Sequence, residues 1–429
     1  MDANWQTYFV LCALAFAYPY LVYPLILAAL AAVRRRPVQR RRQPLPSISI
    51  VVCARDEEAA IGRRLDELTG LLDAAGVEGE ILVVDDGSTD DTAAIVRAYP
   101  ADRVRLIELY EHQGKAAALS RGCAVAYYDV LVFADVRQSW ARNALRLLLE
   151  NFADPEVGAV SGDLIVEAPH ASGPNDVSLY WRYEKLIRQL ESGIGSSVSV
   201  TGCMSAVRRA LFQPIPPGTL LDDVYWPLQV VMQGYRVIHD PRAHAYDYLP
   251  ESQLGEFRRK LRTLSGNFQL LCRLPAALLP WRNPVWFQFL SHKVARLVAP
   301  WALLGALIAS VALMDVPFYY AAFWIQLEAY NKRYTPRHIP GLLLNTPSRL
   351  GAWCRAMRAV CLPLEHSPQS HCPAHLLEKA YRWADGISAR MKRSAISRST
   401  QPDTIGAVMR GLEAVALWCD DLTSVPLAG

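Results

Sequence analysis

The stretch ILVVDDGSTD, residues 81–90, sets a continuous apolar run directly against a turn that holds two adjacent acids, a glycine and a third acid. Four apolar residues without polar alternation read as a strand buried on both faces, as in a parallel sheet. Gly87 opens the turn and Asp90 is placed to cap the next helix, but one cap cannot account for both Asp85 and Asp86. Acids just beyond the carboxyl end of such a strand lie where an open α/β sheet binds its ligand.

Working outward, the unit repeats. Residues 48–54 (ISIVVCA), 104–107 and 130–134 read as further buried strands, with helical spacing over 57–72 and 116–126. The expected fold class is therefore α/β, an open sheet whose crevice lies beyond the strand carboxyl ends. Two more acidic points fall after apolar runs: Asp135 in VFADVRQ, and Asp222-Asp223 in LLDDV. Together these carboxylates could hold a nucleoside, a metal-bridged diphosphate and a hydroxyl nucleophile in one crevice. After the first strand, Ala54-Arg55-Asp56-Glu57 offers acceptors for ribose or base, although taken alone the stretch reads better as capping of the following helix. His112-Gln113-Gly114-Lys115 supplies a glycine and a cation at a helix start, a clamp suited to a diphosphate. Asp222-Asp223 taken alone is an acidic pair at a helix N-terminus.

With 429 residues, 52% of them hydrophobic, the chain can bury a large core and still spare apolar segments for a bilayer. Residues 8–33 carry no charge and suffice to cross about 30 Å of hydrocarbon as a helix. A signal peptide fits less well, since no basic patch precedes the run and the run is too long. Arg34, Arg35, Arg36, Arg40, Arg41 and Arg42 follow at once, a bias that keeps the next domain cytoplasmic. Beside a span, such a run is a topology signal that meets anionic lipid, and no nucleic-acid role is expected.

A second uncharged stretch covers 297–314, and 318–327, set off by Asp315 and Pro317, is too short to return alone. Arg258, Arg259, Lys260 and Arg262 alternate with Phe257, Leu261 and Leu264, which suits either a membrane surface or a solvated helix face. The nine cysteines include no C-x-x-C pair and read as inert thiols on a reducing side. From residue 328 onward no acidic or glycine-rich motif appears, and Cys354, Cys361, His366 and Cys372 fit no compact metal knuckle. The expected organisation is a transmembrane helix with basic flank (1–36), a catalytic domain (45–250), an amphipathic interface region (251–296), a second transmembrane region (297–327) and a tail (328–429).

These motifs, taken together from about residue 48 to 266, resemble the membrane-bound family 2 glycosyltransferases related to cellulose and hyaluronan synthases. The resemblance implies a GT-A catalytic domain with flanking transmembrane helices. It also implies an inner-membrane, multi-pass protein that transfers sugar, with inversion, from a nucleotide-diphosphate donor, usually a uridine one. The acceptor would be a polysaccharide or lipid-linked glycan at the cytoplasmic face. It places donor binding on Ala54, Arg55, Glu57, Asp85 and Asp86, with Lys115 near the diphosphate. The family's D-x-D metal motif falls on Asp135-Val136-Arg137, so a divalent ion, Mg2+ or Mn2+, is expected at Asp135, while Arg137 replaces the second acid and could meet the diphosphate itself. Thr201-Gly202-Cys203-Met204 resembles the loop shaping the acceptor side. Asp222-Asp223 matches the acidic pair whose second member is the general base, here Asp223. The Q-x-x-R-W signature falls on Arg259-Lys260-Leu261-Arg262-Thr263. Arg262 is kept for the departing diphosphate, and the tryptophan that would stack a growing glycan is lost. The substituted positions also admit a second class of function, a catalytically silent membrane binding or assembly partner.

Overall fold

The computed structural model of the protein describes residues 2–167, 178–248 and 253–334. They divide into two compact units, a larger one within 13–302 and a smaller one formed by 2–12 with 303–334.

The larger unit is built on an eight-stranded sheet. Its strands are β1 (Ile48–Ala54), β2 (Gly79–Asp85), β3 (Val104–Glu108), β4 (Val130–Ala134), β5 (Ser139–Trp140), β6 (Val157–Glu167), β7 (Met204–Arg208) and β8 (Arg236–Tyr248). Their order is β3-β2-β1-β4-β7-β6-β8-β5, with the first four parallel and β7 antiparallel to both β4 and β6. Burial on both faces explains the unbroken apolar runs. Ile48, Ile50 and Val52 join one core with the helix Ile61–Ala75, whereas Val51, Leu82 and Val84 join another with the helix Lys115–Ala124. That second helix sits so close that a Cβ on Gly122 would come within 2.6 Å of Val51.

The strands at 48–54 and 130–134 appear with the expected bounds. The first helix begins at Ile61, four residues later than its spacing suggests, because residues 55–58 are held in a turn with Asp56 at φ +51°. From β1 the chain steps outward to β2 and β3, then returns to β4 on the other side of β1. The switch point therefore lies past Ala54 and Ala134, where an open α/β sheet opens its crevice.

Two helices, Ala3–Val33 and Trp286–Ala312, are long and apolar enough to cross a membrane. The first runs through a π turn at Tyr18–Val22. The second begins well before the uncharged stretch at 297, because His292 and Arg296 find partners in Glu184 and Glu191. Of the basic run, Arg36 and Arg40 are drawn onto the larger unit, with Arg36 paired to Glu156 at 2.9 Å and Arg40 bonded to Asn151 at 2.8 Å. In the smaller unit Phe9 packs edge-on against Phe318 and Tyr319. The tail and its Cys354, Cys361, His366 and Cys372 lie outside the described residues, as do the side chains of Arg258, Arg259 and Lys260.

Candidate functional site

Two loops build the floor of the crevice by exchanging hydrogen bonds. The Asp56 N–H donates to Ser88 Oγ at 3.0 Å and that of Glu57 to Thr92 Oγ1 at 2.8 Å, while Thr89 N–H returns to Asp56 Oδ1 at 2.8 Å. Gly87, at φ +72°, makes the turn possible without strain. Asp85 is buried and accepts the Ser88 N–H at 3.3 Å together with its hydroxyl. The N-cap of the next helix is Asp91 rather than Asp90; Asp90, one residue earlier, accepts the Thr92 N–H at 3.0 Å and the Glu58 N–H at 3.0 Å, so it ties the helix start to the first loop.

Asp86 is also buried, and its two oxygens face a third loop. They accept the N–H groups of Gln113 at 2.7 Å and Gly114 at 2.9 Å, and His112 Nδ1 lies 2.8 Å away. Asp86 thus seats the chain immediately before Lys115. The sequence pattern singled out Asp86 for a nucleoside, and the structure gives it a positioning task that the pattern does not reveal.

Lys115 Nζ reaches Asp135 Oδ1 at 2.6 Å. Burial alone would lower the lysine pKa, but Asp135 and Asp222 more than offset it and hold the ammonium above its usual value. Lys115, Asp135, Gly202, Asp222 and Trp226 line one cavity with Cys53. Burial pushes the Cys53 and Cys203 thiols up to about 12, so both are neutral and inert.

The helix Asp222–Met232 carries both acids in its first turn, as the simplest reading of the pair holds, and it also brings Asp222 to Lys115. Neither carboxylate makes a hydrogen bond to another described residue. Val200 N–H fixes the Asp223 carbonyl at 2.9 Å, and a Cβ on Gly202 would lie 3.7 Å from that of Asp223, so the 201–204 loop flanks the pair. From the helix Gln253–Arg273, Arg262 Nη2 donates to the Leu220 carbonyl at 3.2 Å, and its charge acts on Asp222.

The remaining candidates sit at the rim. Arg55 is exposed beside Asp56 at 3.6 Å. Arg137 is exposed and its charge offsets the burial and the acids that raise the Glu57 carboxyl. Ala54 ends β1. Sequence reasoning missed Arg64, which is buried and donates from Nε to the Asp135 carbonyl at 3.0 Å while pairing with Glu67 at 3.0 Å. A signal was present: Arg64 falls on the buried stripe of Ile61, Leu65 and Leu68, where a charge needs a partner.

Burial, with Asp223 and Asp135 beside it, pushes Asp222 up to about 6, although Lys115 pulls the other way. The unfolded chain has the ordinary value of 3.8. Ionised Asp222 therefore costs the folded state about 2–3 kcal/mol above pH 6, a cost that fades as pH falls from 6 to 4. Asp222→Asn is expected to raise the thermal unfolding midpoint of detergent-solubilised protein at pH 8 and to leave it unchanged near pH 4. An equal shift at both pH values would contradict this account.

A divalent ion needs several oxygen ligands. Among the described residues no three His, Cys, Asp or Glu side chains converge to hold one. Asp135 is the lone acid of its motif and already meets Lys115. The side chains present do not fit a protein-built Mg2+ or Mn2+ site.

Comparison with known proteins places this geometry. Residues 49–215 match the family model for glycosyl transferase family 2. The poly-beta-1,6-N-acetyl-D-glucosamine synthase of Staphylococcus aureus (strain COL) is 25% identical over 222 residues, 48% of this chain and 52% of that protein. The synthase of Staphylococcus epidermidis is 23% identical over 242 residues, 55% of this chain and 58% of that protein. The chain thus spans about half the length of the curated relatives it matches. Among solved structures, a mannosyltransferase from Pyrobaculum calidifontis in complex with GDP-Man and Mn2+ superposes with a TM-score of 0.58 at 22% identity, covering 77% of this chain and 99% of that one. The sheet, its crevice and the matched segment agree: residues 49–215 match glycosyl transferase family 2, and the larger unit has the GT-A fold.

Proposed function

We propose that the chain is a membrane-bound inverting glycosyltransferase, taking a sugar from a nucleotide-diphosphate donor to a polysaccharide or lipid-linked glycan acceptor at the cytoplasmic face. The observation that carries this reading is the cavity at the switch point of the sheet, where Lys115 and Asp135 of the matched segment meet Asp222, with Asp223 beside it in the same helix turn. The two candidate spans and the arginine run from Arg34 to Arg42 support the membrane and the cytoplasmic side.

In this reading Asp223 accepts the proton of the acceptor hydroxyl, whose oxygen attacks the anomeric carbon from the face opposite the nucleotide. The bond from that carbon to the diphosphate oxygen breaks, and the diphosphate leaves with the electron pair. Lys115 meets the charge that develops there, with Arg262 and Arg137 at the rim. Asp86 keeps Lys115 in place through the 112–114 loop, and Glu57, Arg55 and Ala54 lie on the side where the nucleoside would rest.

The relatives are synthases of an N-acetylglucosamine polymer, so UDP-N-acetylglucosamine is the first donor to try. The test is nucleotide release from a panel of uridine and guanosine diphosphate sugars by detergent-solubilised protein, with membrane lipid extract as acceptor. Release with one donor is expected. No release with any donor would replace the enzyme by the silent binding partner.

A further inference from the structure

We infer that the donor diphosphate is neutralised by a pair of side chains, Lys115 and Arg137, in the place where a D-x-D site would put a divalent ion. The inference rests on the donor-binding reading above and deepens it.

The two positions of the motif carry opposite charges here. Asp135 is a carboxylate, and its Oδ1 is in contact with Lys115 Nζ at 2.6 Å. Two residues on stands an arginine, a fixed cation at any physiological pH. A second carboxylate there would draw a dication in, whereas a guanidinium repels it. Lys115 and Arg137 together set two cations against the one carboxylate of Asp135, which leaves the motif net positive without a dication.

Their states differ in a useful way. Lys115 is seated by the Asp86-held loop and lies inside the cavity. Arg137 is exposed, and no hydrogen bond or ion pair joins it to another described residue, so its planar fork is free for a ligand. A guanidinium matches two oxygens of a phosphate at once, which a lysine cannot do. Val136 between them is buried, which fixes the backbone from which Arg137 projects. Arg137 follows β4, the neighbour of β1, after which Glu57 stands, and its charge acts on the Glu57 carboxyl.

The test is calorimetric titration of the full detergent-solubilised chain with UDP, and with GDP as a second probe, in EDTA and in Mn2+. Wild type should bind with the same affinity, within about twofold, in both media. Arg137→Ala should weaken binding in EDTA by about tenfold or more, the scale of one charge-assisted contact. Arg137→Asp restores an acid two residues after Asp135. It should bind poorly in EDTA and recover when Mn2+ is added. Because Arg137 is exposed, neither substitution disturbs the core. Wild-type affinity that collapses on chelation would overturn the replacement of the ion and leave the donor-binding reading standing. Arg137→Ala binding like wild type would also overturn it. Failure to bind either nucleotide in both media would overturn this inference and the donor-binding reading together.

Discussion

Asp223→Asn is expected to reduce sugar transfer by about 10²- to 10⁴-fold, the contribution of a well-placed general base, while nucleotide affinity stays within about twofold of wild type. The substitution keeps the size of the side chain and one acceptor oxygen but removes the ability to take a proton. Its surroundings favour a clean result. The Asp223 backbone is pinned by Val200, its carboxylate bonds to no other described residue, and Gly202 leaves room beside it. Asp222→Asn is the matched control, since that acid is buried against Lys115 rather than free. The outcome to measure is the turnover number against donor KM for both variants. Transfer by Asp223→Asn within about threefold of wild type would remove it as the base. A severe loss confined to Asp222→Asn would move the role one residue upstream.

What the chain displayed openly was the part of the fold set by local burial. β1 and β4 are flanked on both faces, so each shows as an uninterrupted apolar run with visible ends. Glu57 and Asp135 lie just past those ends, where the sequence placed them, whereas Asp222 and Asp223 follow no strand and open a helix instead. Other features depended on distant partners. The helix after β1 starts late because Ser88, Asp90 and Thr92, some thirty residues on, satisfy the N–H groups of residues 56–58. β8 reads RVIHDPRAHAYDY, too polar to suggest a strand, yet Asp240 is buried there by hydrogen bonds from Asn151 and Arg242. The positioning role of Asp86 needed the backbone of residues 113 and 114, which no side-chain pattern records.

The same dependence on distant partners hid the start of the second apolar helix, and it supplies the largest expected effect on stability. Glu191, on the helix Ser178–Ile194, is fully buried. Its carboxylate accepts the Tyr23 hydroxyl at 2.7 Å and sits 2.9 Å from His292 Nδ1, with the Ser197 hydroxyl and Val198 N–H at 3.4 Å. Burial alone would raise its pKa, but His292 and Tyr23 outweigh burial and hold it below the usual carboxylate range. Glu191→Ala leaves His292 and Tyr23 buried without that partner, and removing one member of such a set costs about 3–5 kcal/mol. Because the folded-state pKa is depressed, this contribution is complete above the ordinary glutamate value of 4.5 and is lost as pH falls below it. Denaturant unfolding of the solubilised full chain at pH 7 and pH 4 should therefore show a larger loss at pH 7, with Glu191→Gln milder than Glu191→Ala. A loss under about 1 kcal/mol at pH 7 would mean that the cluster contributes little, as exposed ion pairs do. Tyr23 and His292 belong to the two helices capable of crossing a membrane, and Val198 lies two residues before the Val200 that holds Asp223. Glu191 thus ties both apolar helices to the segment that fixes the proposed base, and Glu191→Ala should lower turnover more than it weakens nucleotide binding.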